Sequence, residues 1–307
     1  MQKNEAAIPD GVWPTMVTPF AEDGCIDYGG LEYLIEWYIA QGVHGLFAVC
    51  QSSEMFFLSL EERVQLAKFV KEQARGRVPV IASGHVSERP EEQVEEIKRI
   101  SATGIDAFVL VSNRLALAEQ SERQWRDRAE VILREVPDMS FGIYECPYPY
   151  KRLLSPELLR WCADSGRFAF LKDTCCDMAQ IGAKLDAASG SRLKLFNANS
   201  ATLLDSLRRG AAGFSGVMAN FHPDLYVLLF KLRQSEPEHA ARLQNFLGLA
   251  SVIERQYYPI NAKFHLQLEG VPIGLNSRSK KPEGLTSAMR AEIRQLRATA
   301  QWIRDIM

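Results

Sequence analysis

The chain has 307 residues, 47% of them hydrophobic and 24% charged, with a formal net charge of -2. That length builds one large core, and α/β barrels reach this size as a single domain. No basic stripe interleaved with aromatics is present, the apolar runs are too short to span a bilayer, and the N-terminal stretch 1–11 has no apolar signal core, so nucleic acid and membrane are not expected partners and a soluble cytoplasmic protein is.

Short apolar or β-rich runs occur at 13–18, 45–49, 78–82, 107–112, 141–144, 168–172, 193–197 and 213–218. Their spacing of roughly 20–35 residues is the scale of repeated βα units. Several are apolar almost throughout, the pattern of parallel strands covered on both faces. Between them, Ser59 to Glu62 and Ser121 to Gln124 fit the capping box, and Ser155-Pro156 offers a capping hydroxyl before a proline suited to a first helical turn. Gly42, Gly76, Gly104, Gly166, Gly190 and Gly210 each follow a helical pattern and can end it in a left-handed turn. Val94, Ile97 and Ile100 share one face of such a segment, with glutamates mostly opposite. A strand-helix unit repeated eight times predicts an α/β fold, a (β/α)8 TIM barrel over 1–224. Past about residue 224 the strand signals stop, and 225–307 is expected to be a C-terminal helical extension with helices at 225–232, 240–256 and 286–303. In the last of these, Met289, Ile293, Leu296, Ala300 and Ile303 form a stripe that packs on the barrel or on a second subunit.

Barrel enzymes carry their chemistry at the carboxyl ends of the strands. Here those ends hold Thr18, Cys50 to Glu54, Ser83 to His85, Ser112-Asn113, Tyr144-Glu145, Lys172-Asp173, Asn197 to Asn199 and Ser215-Gly216. Lys172 closes an apolar run, so its stem is enclosed. A buried ammonium either pairs, here with Asp173 or another acid, or gives up its proton and becomes an amine able to attack a carbonyl. Tyr144 ends the preceding strand and can move protons beside that amine, or serve as a core tyrosine. Ser52 and Ser53 precede a helix, where hydroxyls and amides suit a carboxylate, or simply shape a turn. Glu145, His85, Asn197 and Asn199 stand near the rim as candidates for reading the distal part of a substrate. Cys50 reads as small buried packing. With six dispersed cysteines, no CxxC pair and no HExxH helix, neither a disulfide framework nor a metal site is expected.

Five segments, in order and at barrel spacing, carry a resemblance over nearly the whole chain: Pro14-Thr-Met-Val-Thr-Pro-Phe20, Cys50-Gln-Ser-Ser-Glu54, Tyr144-Glu-Cys-Pro147, Leu171-Lys-Asp173 and Gly213-Phe-Ser-Gly-Val-Met-Ala-Asn220. The chain resembles the dihydrodipicolinate synthase / N-acetylneuraminate lyase family of Schiff-base aldolases. The resemblance implies that Lys172 forms an imine with pyruvate or a related 2-oxo acid, that Tyr144 relays protons, and that Ser52 assists it. It also implies that the hydroxyl residues of the segment Cys50 to Glu54 hold the carboxylate, with Ser52 at the second hydroxyl position and Gln51 in place of the first, and that Ser215 lines the pyruvate pocket; Ser53 and Gln51 read as substrate-binding with it. No cofactor is implied, because the lysine supplies the electrophile; a homo-oligomer, a dimer of dimers, is. The tyrosine that dihydrodipicolinate synthases carry after the fourth strand is replaced here by Val111-Ser-Asn-Arg114. Their arginine after the strand-five proline falls in Pro147-Tyr-Pro-Tyr-Lys-Arg152, with Lys151 or Arg152 as stand-ins at shifted spacing.

The leading expectation is therefore an aldolase or dehydratase acting on a pyruvate-type 2-oxo acid. The competing ones are a 4-hydroxy-tetrahydrodipicolinate synthase with an altered relay, a non-catalytic 2-oxo-acid-binding barrel, and an unrelated metal-assisted barrel enzyme.

Overall fold

The computed structural model describes residues 8–307; residues 1–7, part of the stretch read above for a signal core, lie outside the described residues. Eight parallel strands form one sheet: β1 (Gly11–Val12), β2 (Leu46–Phe47), β3 (Val80–Ala82), β4 (Ala107–Val111), β5 (Phe141–Tyr144), β6 (Phe168–Asp173), β7 (Lys194–Asn197) and β8 (Gly213–Phe214). From β2 to β8 each pairs with its sequence neighbours, and β8 returns to β1. A parallel bridge between Thr15 and Phe47 joins the segment after β1 to β2 and closes the ring. With helices in the connections, this is the expected (β/α)8 barrel. Among the described residues no helix is long and apolar enough to cross a membrane.

Two runs pair over less length than their sequence suggests. After β1 the ladder is reduced to the Thr15 bridge, since Pro14 has no N–H to donate; its carbonyl instead accepts from Phe47 N at 3.0 Å. The run from 213 leaves the sheet after Phe214 and turns into a short 3-10 helix, Val217–Asn220. The capping boxes at Ser59 and Ser121 form with both reciprocal bonds, and all six terminating glycines adopt positive φ.

The ring is filled by aromatics. Phe170 stacks on Phe196 with centroids 4.4 Å apart, Trp13 meets these two edge-on at 5.6 and 5.9 Å, and Phe47 approaches Phe170 at 6.3 Å. Offset and edge contacts of this kind are favourable beyond the area they bury. The layer leaves no space at residue 45, because a Cβ there would fall within the Trp13 ring. Strand alternation then sorts what lies above this floor. Phe170 and Lys172 of β6 face the interior, and Asp173 faces the helix Met178–Ala188.

There Lys184 sits between two acids, 2.6 Å from Asp173 and 2.5 Å from Glu145, with all three side chains buried. Glu145 follows Tyr144 and so faces outward like Asp173; it also accepts the backbone N–H groups of Leu154 and Thr174. Burial pushes the Glu145 carboxyl up to about 7 against the pull of Lys184. Burial also works against the Lys184 ammonium, but the two carboxylates outweigh it and hold its pKa above the usual lysine value. The triad bolts β5, β6 and an outer helix together.

Beyond β8, the helix Pro223–Ser235 packs on β1, and Pro237–Ala250, Ile260–Leu268 and Ser287–Ile306 follow. In the last helix, Ile293, Leu296, Ala300 and Ile303 are buried within the chain, so the stripe is an intramolecular seam against Ile260–Leu268. That partner helix gives no sequence signal. Its first seven residues are all buried, including Asn261, Lys263 and His265, so no apolar stripe marks it.

Gly45→Ala is expected to cost about 1–3 kcal/mol through overpacking against Trp13, read as a lower urea midpoint at unchanged slope. Lys184→Met, which strands two buried carboxyls face to face, is expected to cost about 3–5 kcal/mol; an unchanged midpoint would show the triad to be dispensable.

Candidate active site

At the carboxyl end of the strands the barrel opens into a cavity of about 560 Å³. Lys172 stands at its base, buried, with Nζ 4.4 Å from the Tyr144 ring centroid and 6.0 Å from that of Phe47. Asp173, one of the acids that could have paired with it, is committed to Lys184. Among the described residues no carboxylate is bonded to Lys172. Burial lowers its pKa to about 8, with Cys50, Cys146 and Glu254 opposing the shift. Roughly a tenth of the amine is then neutral at pH 7, against well under a thousandth for an ordinary lysine.

Tyr144 and Lys172 are register partners across β5 and β6, which fixes the phenol beside the amine. The Tyr144 hydroxyl donates to Gln51 Oε1 at 3.2 Å, and the Cys146 thiol shares that acceptor at 3.4 Å. Burial holds the phenol well above its usual range, so it keeps its proton. Next to Gln51, Ser52 donates to Thr15 Oγ1 at 3.2 Å and bonds the Tyr258 hydroxyl. Asn220 steadies these partners: its amide donates to Tyr258 Oη at 3.2 Å and Thr15 O at 2.9 Å, and its oxygen accepts from buried Tyr38.

Of the residues singled out from sequence, Lys172, Tyr144, Ser52, Gln51 and Asn199 line this cavity. Ser53, Glu145, Asn197, His85 and Ser215 do not. Ser53 clasps its own turn, accepting from Cys50 N and donating to Cys50 O, both at 2.7 Å. Glu145 belongs to the outer triad. Asn197 faces outward, donating to Thr202 and Ser206, as the neighbour of inward-facing Phe196 must. His85 is buried against Phe108, accepts from Val111 N at 3.3 Å, and is driven down to about 3 by burial and by the charges of Arg114 and Arg63. It is a neutral packing histidine here. Ser215 is buried at the end of β8, with no hydrogen-bond partner for its hydroxyl among the described residues.

The sequence reading missed a whole side of the cavity. Glu254, Arg255, Tyr258, Ser279 and Lys280 line it from the C-terminal extension; Glu54 and Lys151, both noted in the sequence, line it from the barrel loops. Burial raises the Glu254 carboxyl to about 6, against the charges of Arg255 and Lys172. One clue was available: Glu54, an acid in a barrel loop, needs a cation if buried, and it receives Lys263 from the extension at 3.3 Å. Among the described residues, no three His, Cys, Asp or Glu side chains gather as metal ligands would.

The chain is 29% identical over 269 residues to a 4-hydroxy-tetrahydrodipicolinate synthase of Acidithiobacillus ferrooxidans, covering 85% of this chain and 88% of that one. It is 26% identical over 281 residues to the enzyme of the same name from a Psychrobacter species, covering 91% and 88%. In structure it is similar to E. coli YagE, a prophage protein of the dihydrodipicolinic acid synthase family crystallised in complex with pyruvate, with a TM-score of 0.86, 24% identity and coverage of 97% and 99%. Residues 9–300 match the dihydrodipicolinate synthetase family, and the chain belongs to that family.

Proposed function

We propose that Lys172 is the amine on which this lyase binds the carbonyl of pyruvate or of a pyruvate-derived 2-oxo acid. The observation that carries the reading is a buried lysine with no carboxylate among the described residues bonded to it, at the base of a cavity and with its pKa brought down to about 8. A neutral amine adds to the keto carbon; the carbinolamine loses water and leaves an imine. Tyr144, protonated and in contact with the amine, passes a proton from nitrogen to the carbonyl oxygen and supplies another as that oxygen departs in water. The cationic imine nitrogen then accepts the electron pair released when a carbon–carbon bond breaks or a proton is lost next to it. Ser52 assists through its bonds to Thr15 and Tyr258. The pyruvate held by the E. coli relative supports the substrate class.

The names of the curated relatives favour a second reading, 4-hydroxy-tetrahydrodipicolinate synthase, which condenses pyruvate with an aldehyde. The segment after β4 speaks for the first. Ser112 donates to Arg152 O, and Arg152 is spent on Leu117 O and Gln120 O, outside the cavity, whereas Lys151, the other stand-in, lines the cavity. Aspartate semialdehyde added to pyruvate-loaded protein separates the two readings by whether cyclised product forms. On the resemblance, a homo-oligomer remains part of the proposal, to be read by sedimentation.

Borohydride reduction with pyruvate is expected to fix a covalent adduct on Lys172, found by peptide mapping and absent from Lys172→Ala. An adduct elsewhere, or none, would sink the reading. The trapping rate is expected to rise with pH through a midpoint near 8, as the amine loses its proton; a rise only above pH 10 would show an ordinary lysine. Tyr144→Phe is expected to slow imine formation about a hundredfold or more while leaving the adduct on the same lysine.

A further inference from the structure

Once an imine has formed, a proton must leave the carbon next to it before an enamine can exist, and that proton needs an acceptor. The candidates around Lys172 are few. Its titratable neighbours are Cys50, Cys146 and Glu254, with Tyr144 against the amine. Burial raises both thiols, Cys146 to about 11, and holds the Tyr144 phenol well above its usual range. All three keep their protons at neutral pH and are poor bases there. Two carboxyls line the cavity, Glu54 and Glu254. Glu54 is fully engaged: Lys263 reaches it, and the Ser277 hydroxyl and the amides of Arg278 and Ser279 each donate to it at 2.8 Å. Among the described residues, no donor is bonded to the Glu254 carboxyl.

That carboxyl is mounted rather than loose. Glu254 lies in the 3-10 helix Ser251–Arg255, which rests on the 3-10 helix Val217–Asn220 beyond β8. Asn261 donates to Ile253 O at 2.8 Å, and Gln256 N donates to the same carbonyl at 3.0 Å, so the turn is held at the residue before Glu254. The side chain is half-buried. Burial raises its pKa to about 6, against the charges of Arg255 beside it and of Lys172 from β6. Tyr258 and, from the helix Pro223–Ser235, Tyr226 feel its charge in turn, and Lys151 and Lys280 complete the charged lining. At pH 7 about nine-tenths of it is carboxylate, a base matched to neutral conditions.

We infer that Glu254 is a further catalytic residue, the base that takes the proton from the carbon adjacent to the imine carbon. In that step the C–H bond breaks and its electron pair becomes the carbon–carbon double bond of an enamine. The imine π pair moves to nitrogen, and the proton goes to a Glu254 oxygen; the reverse step hands it back. No oxidant or co-reactant is consumed. The work is divided: Tyr144 serves nitrogen and oxygen while the imine forms, and Glu254 serves carbon afterwards. This inference rests on the reading of Lys172 as the imine-forming residue.

Pyruvate alone tests it, because the enamine exchanges the methyl hydrogens of pyruvate with D2O. Exchange is followed by proton NMR at saturating pyruvate, and the imine separately by borohydride trapping. In Glu254→Gln the Lys172 adduct is expected to form as in the unaltered protein, while exchange slows at least about a hundredfold. In the unaltered protein, exchange per loaded site falls as pH drops through about 6, where the carboxylate takes up a proton, and this limb is absent from the variant. Formate is expected to restore exchange to Glu254→Ala, which a merely structural role does not allow. Exchange at the unaltered rate in Glu254→Gln gives the step to another group, Tyr144 first, and overturns the inference. So does an adduct without exchange in the unaltered protein; both leave the imine site intact. Loss of the adduct itself in Glu254→Gln places the residue in the imine step or the fold, and equally overturns it. Failure of the unaltered protein to trap pyruvate overturns the Lys172 reading.

Discussion

Everything in this molecule that bears on chemistry follows from one constraint, an amine held in a nearly dry place with no carboxylate among the described residues bonded to it. Beneath Lys172 lies the aromatic floor of Trp13, Phe47, Phe170 and Phe196; beside it stands the face of Tyr144. Rings attract a cation weakly compared with a carboxylate, so they tolerate the ammonium without locking the proton on. The nearest acid in sequence, Asp173, points out of the barrel and is satisfied by a second lysine. Two lysines with opposite protonation tendencies thus lie on either side of one strand, and the period-2 alternation of β6 keeps their environments apart.

Much of this was legible beforehand. Apolar runs at βα spacing, glycine stops and capping boxes mark the barrel, because those signals are local and each has a local cause. The partnership of Tyr144 and Lys172 was legible as well, since both close inward-facing strands. The same alternation, applied one residue further, would have removed Glu145 and Asn197 from the rim: a neighbour of an inward residue faces out. His85 was misplaced for another reason. A histidine after glycine at a strand end looks available, and only packing shows that Phe108 and Val111 N have claimed its ring.

The illegible part is the C-terminal wall. Ile260–Leu268 is buried on every side, so it shows no amphipathic rhythm, and its lysine and histidine disguise it further. One contact that holds this wall joins residues more than two hundred positions apart, Glu54 and Lys263. No window along the sequence contains both halves of such a bond. Gln51 shows the opposite case: a visible substitution whose effect is geometric, since its oxygen accepts the hydrogen bond of the Tyr144 hydroxyl.

The grip of Glu54 on the segment around Ser277 also sets an order of events. All eight strands are synthesised by residue 214, yet the walls contributed by residues 254–280 come later, and they reach their places through Lys263, Ser277 and the amides of Arg278 and Ser279. Without them the cavity would lack the wall formed by Glu254, Arg255, Tyr258, Ser279 and Lys280. The wall around the cavity is therefore completed by residues that lie far beyond the last strand, and the enclosure of the amine depends on both parts of the chain.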